Sequence, residues 1–112
     1  MSNADFSPTY QDTMVERMDR LLHVLETHGL SRTFVSVVVR NDTAWTRDYR
    51  TRNFTVATYD KVAAKLSGMW PDDIAWPSDI PRPAPLSVYA GDLEAVAERL
   101  AKHRNRSEAR HG

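Results

Sequence analysis

From Ser31 to Lys65 the chain reads SRTFVSVVVRNDTAWTRDYRTRNFTVATYDKVAAK, and the way this stretch folds decides the rest. Ser31 is placed to cap a helix, but the run Arg32-Thr33-Phe34-Val35-Ser36-Val37-Val38-Val39 is rich in β-branched residues, which favour strands and weaken helices. Against a strand stands its bracketing by a cap at Ser31 and a turn at Arg40-Asn41-Asp42. The expectation is a short helix, with a strand as the competing reading. In the turn, Asn41 is the residue best able to accept a positive φ. Asp42 is placed to cap a next helix over Thr43 to about Thr51. Helical spacing turns Trp45 and Tyr49 inward with Thr46, and leaves Thr43, Ala44, Arg47, Asp48 and Arg50 outward. Thr55 or Thr58 can begin a fourth helix through Tyr59, Val62, Ala63 and Leu66, which Ser67-Gly68 would end.

Before this stretch, Met14, Met18, Leu21, Leu22 and Leu25 recur at three- and four-residue spacing, predicting a first helix from about Thr13 to His28 with Gly29 as its left-handed stop. His23 and His28 fall on or near its solvent edge, and no second ligand pair suggests a metal site. Residues 1 to about 11 lack periodicity and read as a mobile, acidic arm. After it, residues 71–86, PDDIAWPSDIPRPAPL, hold five of the six prolines and read as an extended connector. Two readings compete for Trp70, Ile74, Trp76 and Ile80: the segment lies back over surplus apolar residues such as Val37 or Val38, or it forms a docking site for another protein. Asp92 can cap a last helix with Leu93, Val96, Ala97 and Leu100 on one face, ending near Arg104. That face either packs on its own chain or pairs with its copy in a second subunit. Ser107 to Gly112 is expected to be disordered, with Arg104, Arg106 and Arg110 meeting phosphate or keeping the tail soluble.

The chain has 112 residues, 41% of them hydrophobic and 27% charged, which fits one globular domain with appendages. The absence of cysteine excludes disulfides and thiolate-bound metals. No apolar run approaches the roughly 18 to 20 residues of a bilayer span, and no signal pattern opens the chain, so a cytoplasmic protein without membrane contact is expected. The net charge is zero, yet residues 31–66 carry seven Lys/Arg against three Asp and residues 99–112 carry five Lys/Arg against one Glu, while the two blocks between and before them are acidic. A basic middle and a basic tail allow a local phosphate-binding face on a neutral protein. A cluster of Arg on a helix is also what an ordinary solvated face looks like.

In order, spacing and charge together, residues 13–70 resemble the helix-turn-helix core of the lambda-repressor-like family, the phage-repressor and XRE-type proteins. RNDTAWTRDYRTRNFT is similar to a bacterial version reading approximately N-D-x-x-F-x-R-D-L-R-x-G-R, matched in kind by Asn41, Asp42, Trp45, Arg47, Asp48, Tyr49 and Arg50. Val35 and Val39 fall where that family has core residues, and Ser36 where it needs a small one. Arg40 departs from the glycine that many relatives have in the turn. Arg52 replaces another glycine, leaving Asn53 to take the left-handed position. The resemblance implies an all-α bundle of four to five helices over 13–70, preceded by a flexible arm (1–12) and followed by the Pro-rich connector, C-terminal helix and basic tail (71–112).

It further implies a sequence-specific binder of double-stranded DNA, a transcriptional regulator acting as a homodimer, with helix 43–51 in the major groove. Its DNA-binding residues would be Arg32 at a phosphate, Thr43 and Ala44 at phosphate or base edges, Arg47 at a base or phosphate, and Arg50 and Arg52 at the backbone. No cofactor or small-molecule ligand is implied. Catalysis has no support from a phosphate-cradling glycine loop, a His/Glu metal spacing or a nucleophile–base–acid set. The alternative is a protein-interaction module, an adaptor or antitoxin-like partner, using Trp70, Trp76 and the C-terminal helix.

Overall fold

The junction at residues 25–31 shows how local chemistry sets the first corner. Leu30 N–H donates to Leu25 O at 3.0 Å and Gly29 N–H to Glu26 O at 3.1 Å, while Gly29 takes φ +97°, the paired bonds and left-handed residue that stop a helix. Ser31 then starts the next one by accepting a bond from Phe34 N–H at 3.2 Å. A computed structural model describes residues 10–51 and 54–111. Among them lie five α-helices and no strand: α1 (Tyr10–Thr27), α2 (Arg32–Arg40), α3 (Trp45–Asp48), which continues as a 3₁₀ turn over Tyr49–Thr51, α4 (Val56–Met69) and α5 (Ala90–His111). None of these is long and apolar enough to cross a membrane. Of the arm expected over 1–12, residues 1–9 lie outside the described residues, as do Arg52, Asn53 and Gly112, while Tyr10, Gln11 and Asp12 already belong to α1.

The valine-rich run is helical, so the strand reading fails. Its β-branched side chains are tolerated because the helix buries Val35, Val38 and Val39 together with Ser36, and burial outweighs a propensity deficit of a few tenths of a kcal/mol per residue. At the far end Asn41 adopts φ 52°, ψ 40° and its N–H reaches Val37 O at 2.9 Å, as the turn required. The core gathers the predicted α1 stripe, Val35, Val38 and Val39 of α2, Trp45, Tyr49, Phe54, and Tyr59, Val62, Ala63 and Leu66 of α4. Thr55 caps α4 by accepting from Thr58 N–H at 3.1 Å. That helix passes Ser67-Gly68 and ends only after Met69. Trp70 is extended at ψ 126° because a residue preceding proline, here Pro71, is pushed out of the helical region. Gly68 serves another purpose, since a Cβ there would lie 2.0 Å from Leu86 O.

The connector folds back over α1 and α4, to which its hydrogen bonds run, and Val37, expected among the residues it covers, stays exposed. The connector contains a repeat not singled out above, Trp70-Pro71-Asp72-Asp73-Ile74 and Trp76-Pro77-Ser78-Asp79-Ile80, and both copies adopt the same turn. In each, the Trp indole N–H donates to the Ile carbonyl at 2.8 Å, and the Ile N–H donates to the Pro carbonyl, at 3.2 Å in the first and 3.1 Å in the second. The two indoles pack with centroids 4.7 Å apart, and Trp70, Ile74 and Ile80 are buried. The carboxylate two residues after each Pro is tied to a helix: Asp79 accepts two bonds from Arg20 of α1, at 2.6 and 2.9 Å, and Asp73 lies 3.6 Å from Arg104 of α5. Arg82 closes the segment by donating to Ser67 Oγ and Ser67 O at 3.0 Å each.

Helix α5 corrects two expectations. It begins at Ala90, with Asp92 inside its first turn, and its backbone stays helical to His111 where disorder was expected from Ser107. After Gly91 nothing breaks it, and Ala, Glu, Arg and Lys are strong helix formers, supported by a Glu98–Lys102 pair at 3.2 Å. Among the described side chains of α5 only Val96 is buried, with Leu100 half-buried beside it, and Leu93 and Ala97 remain exposed.

Candidate nucleic-acid interface

Four residues of α-helix cannot hold themselves, since isolated helices under about 12 residues are marginal in water. Helix α3 is therefore fixed by what it buries. Trp45 and Tyr49 stack with centroids 5.0 Å apart, and Phe54 meets both rings edge-on at 5.9 and 5.1 Å. Beneath them Thr46 is fully buried and its polar atoms are all satisfied by α2. Its N–H donates to Ser36 Oγ at 3.2 Å, its hydroxyl donates to Arg32 O, and its carbonyl accepts from Arg32 Nη1 at 3.3 Å. A side chain larger than serine at position 36 would hold the two helices apart and remove the acceptor of Thr46 N–H.

Asp19 of α1 anchors the other end of the segment. Its carboxylate accepts a short hydrogen bond from Tyr49 Oη, contacts Arg50 in an ion pair, and lies 3.5 Å from Arg32 Nη1. Burial pushes the Tyr49 phenol up to about 12 from its ordinary 10, although the nearby Arg32 charge pulls the other way. The phenol thus remains a neutral donor to Asp19 across the physiological range.

The predicted site residues divide. Thr43 and Arg47 are exposed and Ala44 is half-buried; the Arg47 guanidinium makes one long bond, to Thr43 O at 3.4 Å, which leaves most of its five donors facing water. Thr43 and Ala44 belong to the turn before α3, where Asp42 Oδ1 accepts from Ala44 N–H at 2.8 Å. Asp42 braces this turn and does not cap the helix, which starts at Trp45 without a side-chain cap. Arg50 is exposed, but its charge rests on Asp19 and its guanidinium lies 6.0 Å from the Tyr49 ring centre. Arg32, expected at phosphate, turns inward: its side chain is 25% exposed and is shared among Thr46 O, Asp19 and Glu26, the last at 3.6 Å. Arg52 lies outside the described residues.

Arg40 was not among the predicted site residues. It is exposed at the end of α2, with its guanidinium 5.6 Å from the Trp45 ring centre, so it sits beside α3 on the outer surface. Its place at the last position of α2, five residues before Trp45, was visible in the sequence. Lys65 of the basic block is spent internally on Val39 O at 3.2 Å. Compared with family models, with curated proteins and with solved structures, the chain finds no match.

Proposed function

We propose that the chain is a sequence-specific binder of double-stranded DNA, a transcriptional regulator with the lambda-repressor-like helix-turn-helix arrangement over residues 13–70, acting as a homodimer. The observation that carries this is Arg47. It stands on the outer side of a short helix whose opposite side is locked by two buried rings and a fully bonded Thr46, so its position is preorganised by the core. The major groove, about 12 Å wide, admits such a helix, and an Arg there can bridge guanine O6 and N7 with two parallel donors. Thr43 is exposed in the preceding turn and can reach phosphate or a base edge, and Arg40 borders the same surface. Arg50 is paired with Asp19 in the free protein and would have to leave that carboxylate to meet a phosphate.

The test is selection of duplexes from a random pool, followed by gel-shift titration of the recovered sequence with wild type and Arg47→Ala. Loss of one good bidentate contact is expected to cost about 1 to 3 kcal/mol, roughly 5- to 150-fold in affinity. Unchanged affinity and unchanged base preference would sink the assignment. The protein-interaction alternative loses Trp70 and half-buried Trp76, which are committed to the connector's own turns. It keeps one observation, the exposed apolar set Leu86, Tyr89 and Leu93 at 44%, 75% and 42% exposure. The same set is available to a second copy in the proposed dimer, and sedimentation at several concentrations separates a dimer from a monomer that awaits another partner.

A further inference from the structure

Two elements flank the start of α2. On one side is α3, joined through Thr46 and Arg32. On the other is α5: the Arg99 guanidinium lies 4.1 Å from the centre of the Phe34 ring, and His103 packs so closely on Gly29 that a Cβ there would come within 2.5 Å of it. Between α5 and this corner is an open hollow of about 310 Å³, lined by Gly29, Ala95, Glu98, Arg99, Lys102 and Arg106. Its charge is three cations against the single carboxylate of Glu98, which sits 3.2 Å from Lys102. Arg104 faces elsewhere, toward Asp73 at 3.6 Å.

We infer that this face of α5 is a second contact to the same duplex, in which Arg99, Lys102 and Arg106 hold the sugar–phosphate backbone beside the groove that α3 enters. The inference rests on the DNA-binding reading and extends it to a surface outside residues 13–70. Arg32, the cation expected to meet phosphate at the start of α2, is withdrawn onto Asp19 and Glu26, and α5 brings three others to the same corner. Packed helices lie about 8 to 10 Å apart and the major groove is about 12 Å across. Two such spacings, through α2, put α5 roughly 16 to 20 Å from α3, beyond the roughly 6 Å half-width of the groove, so with α3 in the groove α5 lies on the backbone side and not over base edges. The chemistry agrees with that position. These are long, exposed cations that neutralise phosphate without reading sequence, and beyond Leu100 the sequence of α5 carries no apolar stripe.

Salt dependence tests this separately from base recognition. The probe is the duplex recovered from the random pool, titrated at several salt concentrations with wild type, Lys102→Gln/Arg106→Gln, the charge-keeping Lys102→Arg/Arg106→Lys, and Arg47→Ala. Each phosphate contact contributes about 0.9 to the slope of log affinity against log salt, so the neutral double variant is expected to lose about 1.8 from it. Its deficit against wild type should then be about tenfold larger at roughly 50 mM than at roughly 200 mM salt, with base preference unchanged. The charge-keeping pair should restore the wild-type slope, which a merely structural role of these side chains would not require. If Arg47→Ala weakens binding while the neutral double variant keeps the wild-type slope, the α5 contact is refuted and the DNA-binding reading stands. If wild type shows no salt-sensitive duplex binding even at low salt, both fall.

Discussion

Helix α3 has four residues and, with the 3₁₀ turn that continues it, hides both aromatic rings of the segment, whereas α5 has twenty-two and fully buries only Val96 among its described side chains. The first is a helix because its neighbours make it one: stacked rings, the Ser36 and Arg32 bonds to Thr46, and the Asp19 anchor under Tyr49. The second is a helix because its own backbone and residue types favour it over about 33 Å at 1.5 Å per residue. In the proposed DNA-binding role the difference matters. An element whose outward side chain must meet a base edge to within a fraction of an ångström gains from being fixed by the core. An element that only lays charge along phosphates needs reach and positive sign.

The contrast breaks most visibly at Tyr49. Tyr49→Ala empties a site that is 1% exposed and is expected to cost about 3 to 5 kcal/mol, read as a lowered midpoint in urea, with α3 lost first. If the unfolding free energy falls by less than about 1 kcal/mol, the α3 segment is not held by its rings. A smaller effect follows from the phenol's acidity. Because the folded value, about 12, lies above the unfolded 10, the folded protein holds this proton more tightly. Stability is then independent of this group below pH 10 and falls as pH rises from 10 to 12, by on the order of 2 kcal/mol. Tyr49→Phe, which keeps the ring and cannot ionise, should flatten most of that alkaline decline. Raised Tyr59 will leave a remainder of the same sign. The smallest effect belongs to α5. Ala97→Gly, on its exposed side, is expected to cost about 1 kcal/mol locally, seen as faster amide exchange from residue 97 outward. Exchange in α3 should stay unchanged, and a coupled loss there would mean that the two elements are not independently held.

Much of the helical core was legible because periodicity and caps are local signals. The Met14 to Leu25 stripe, the left-handed stops at Gly29 and Asn41, the caps at Ser31 and Thr55 and the inward pair Trp45 and Tyr49 all lie where spacing placed them. The connector's return over the helices was one of two readings, and the repeated Trp-Pro-x-Asp-Ile turn that secures it was present in the letters but needs its hydrogen bonds to be recognised as a unit. The end of α4 was misplaced because Ser67-Gly68 resembles a stop, whereas Pro71 is the physical one. The tail was misjudged because polarity was weighed above helix propensity.

For the site, the letters alone determined which residues carry positive charge and which of them helical spacing turns away from the aromatic pair; Arg47 follows from that by geometry within one helix. Only the tertiary structure decided which cations remain available. Whether Arg32 faces solvent depends on Asp19 and Glu26, which are 13 and 6 residues away along the chain, and whether α5 meets the start of α2 depends on Phe34 and Gly29 finding Arg99 and His103. Electrostatic neutralisation acts through space over a few ångströms and takes no account of chain distance, so the sequence lists the charges and the packing determines which of them still face outward.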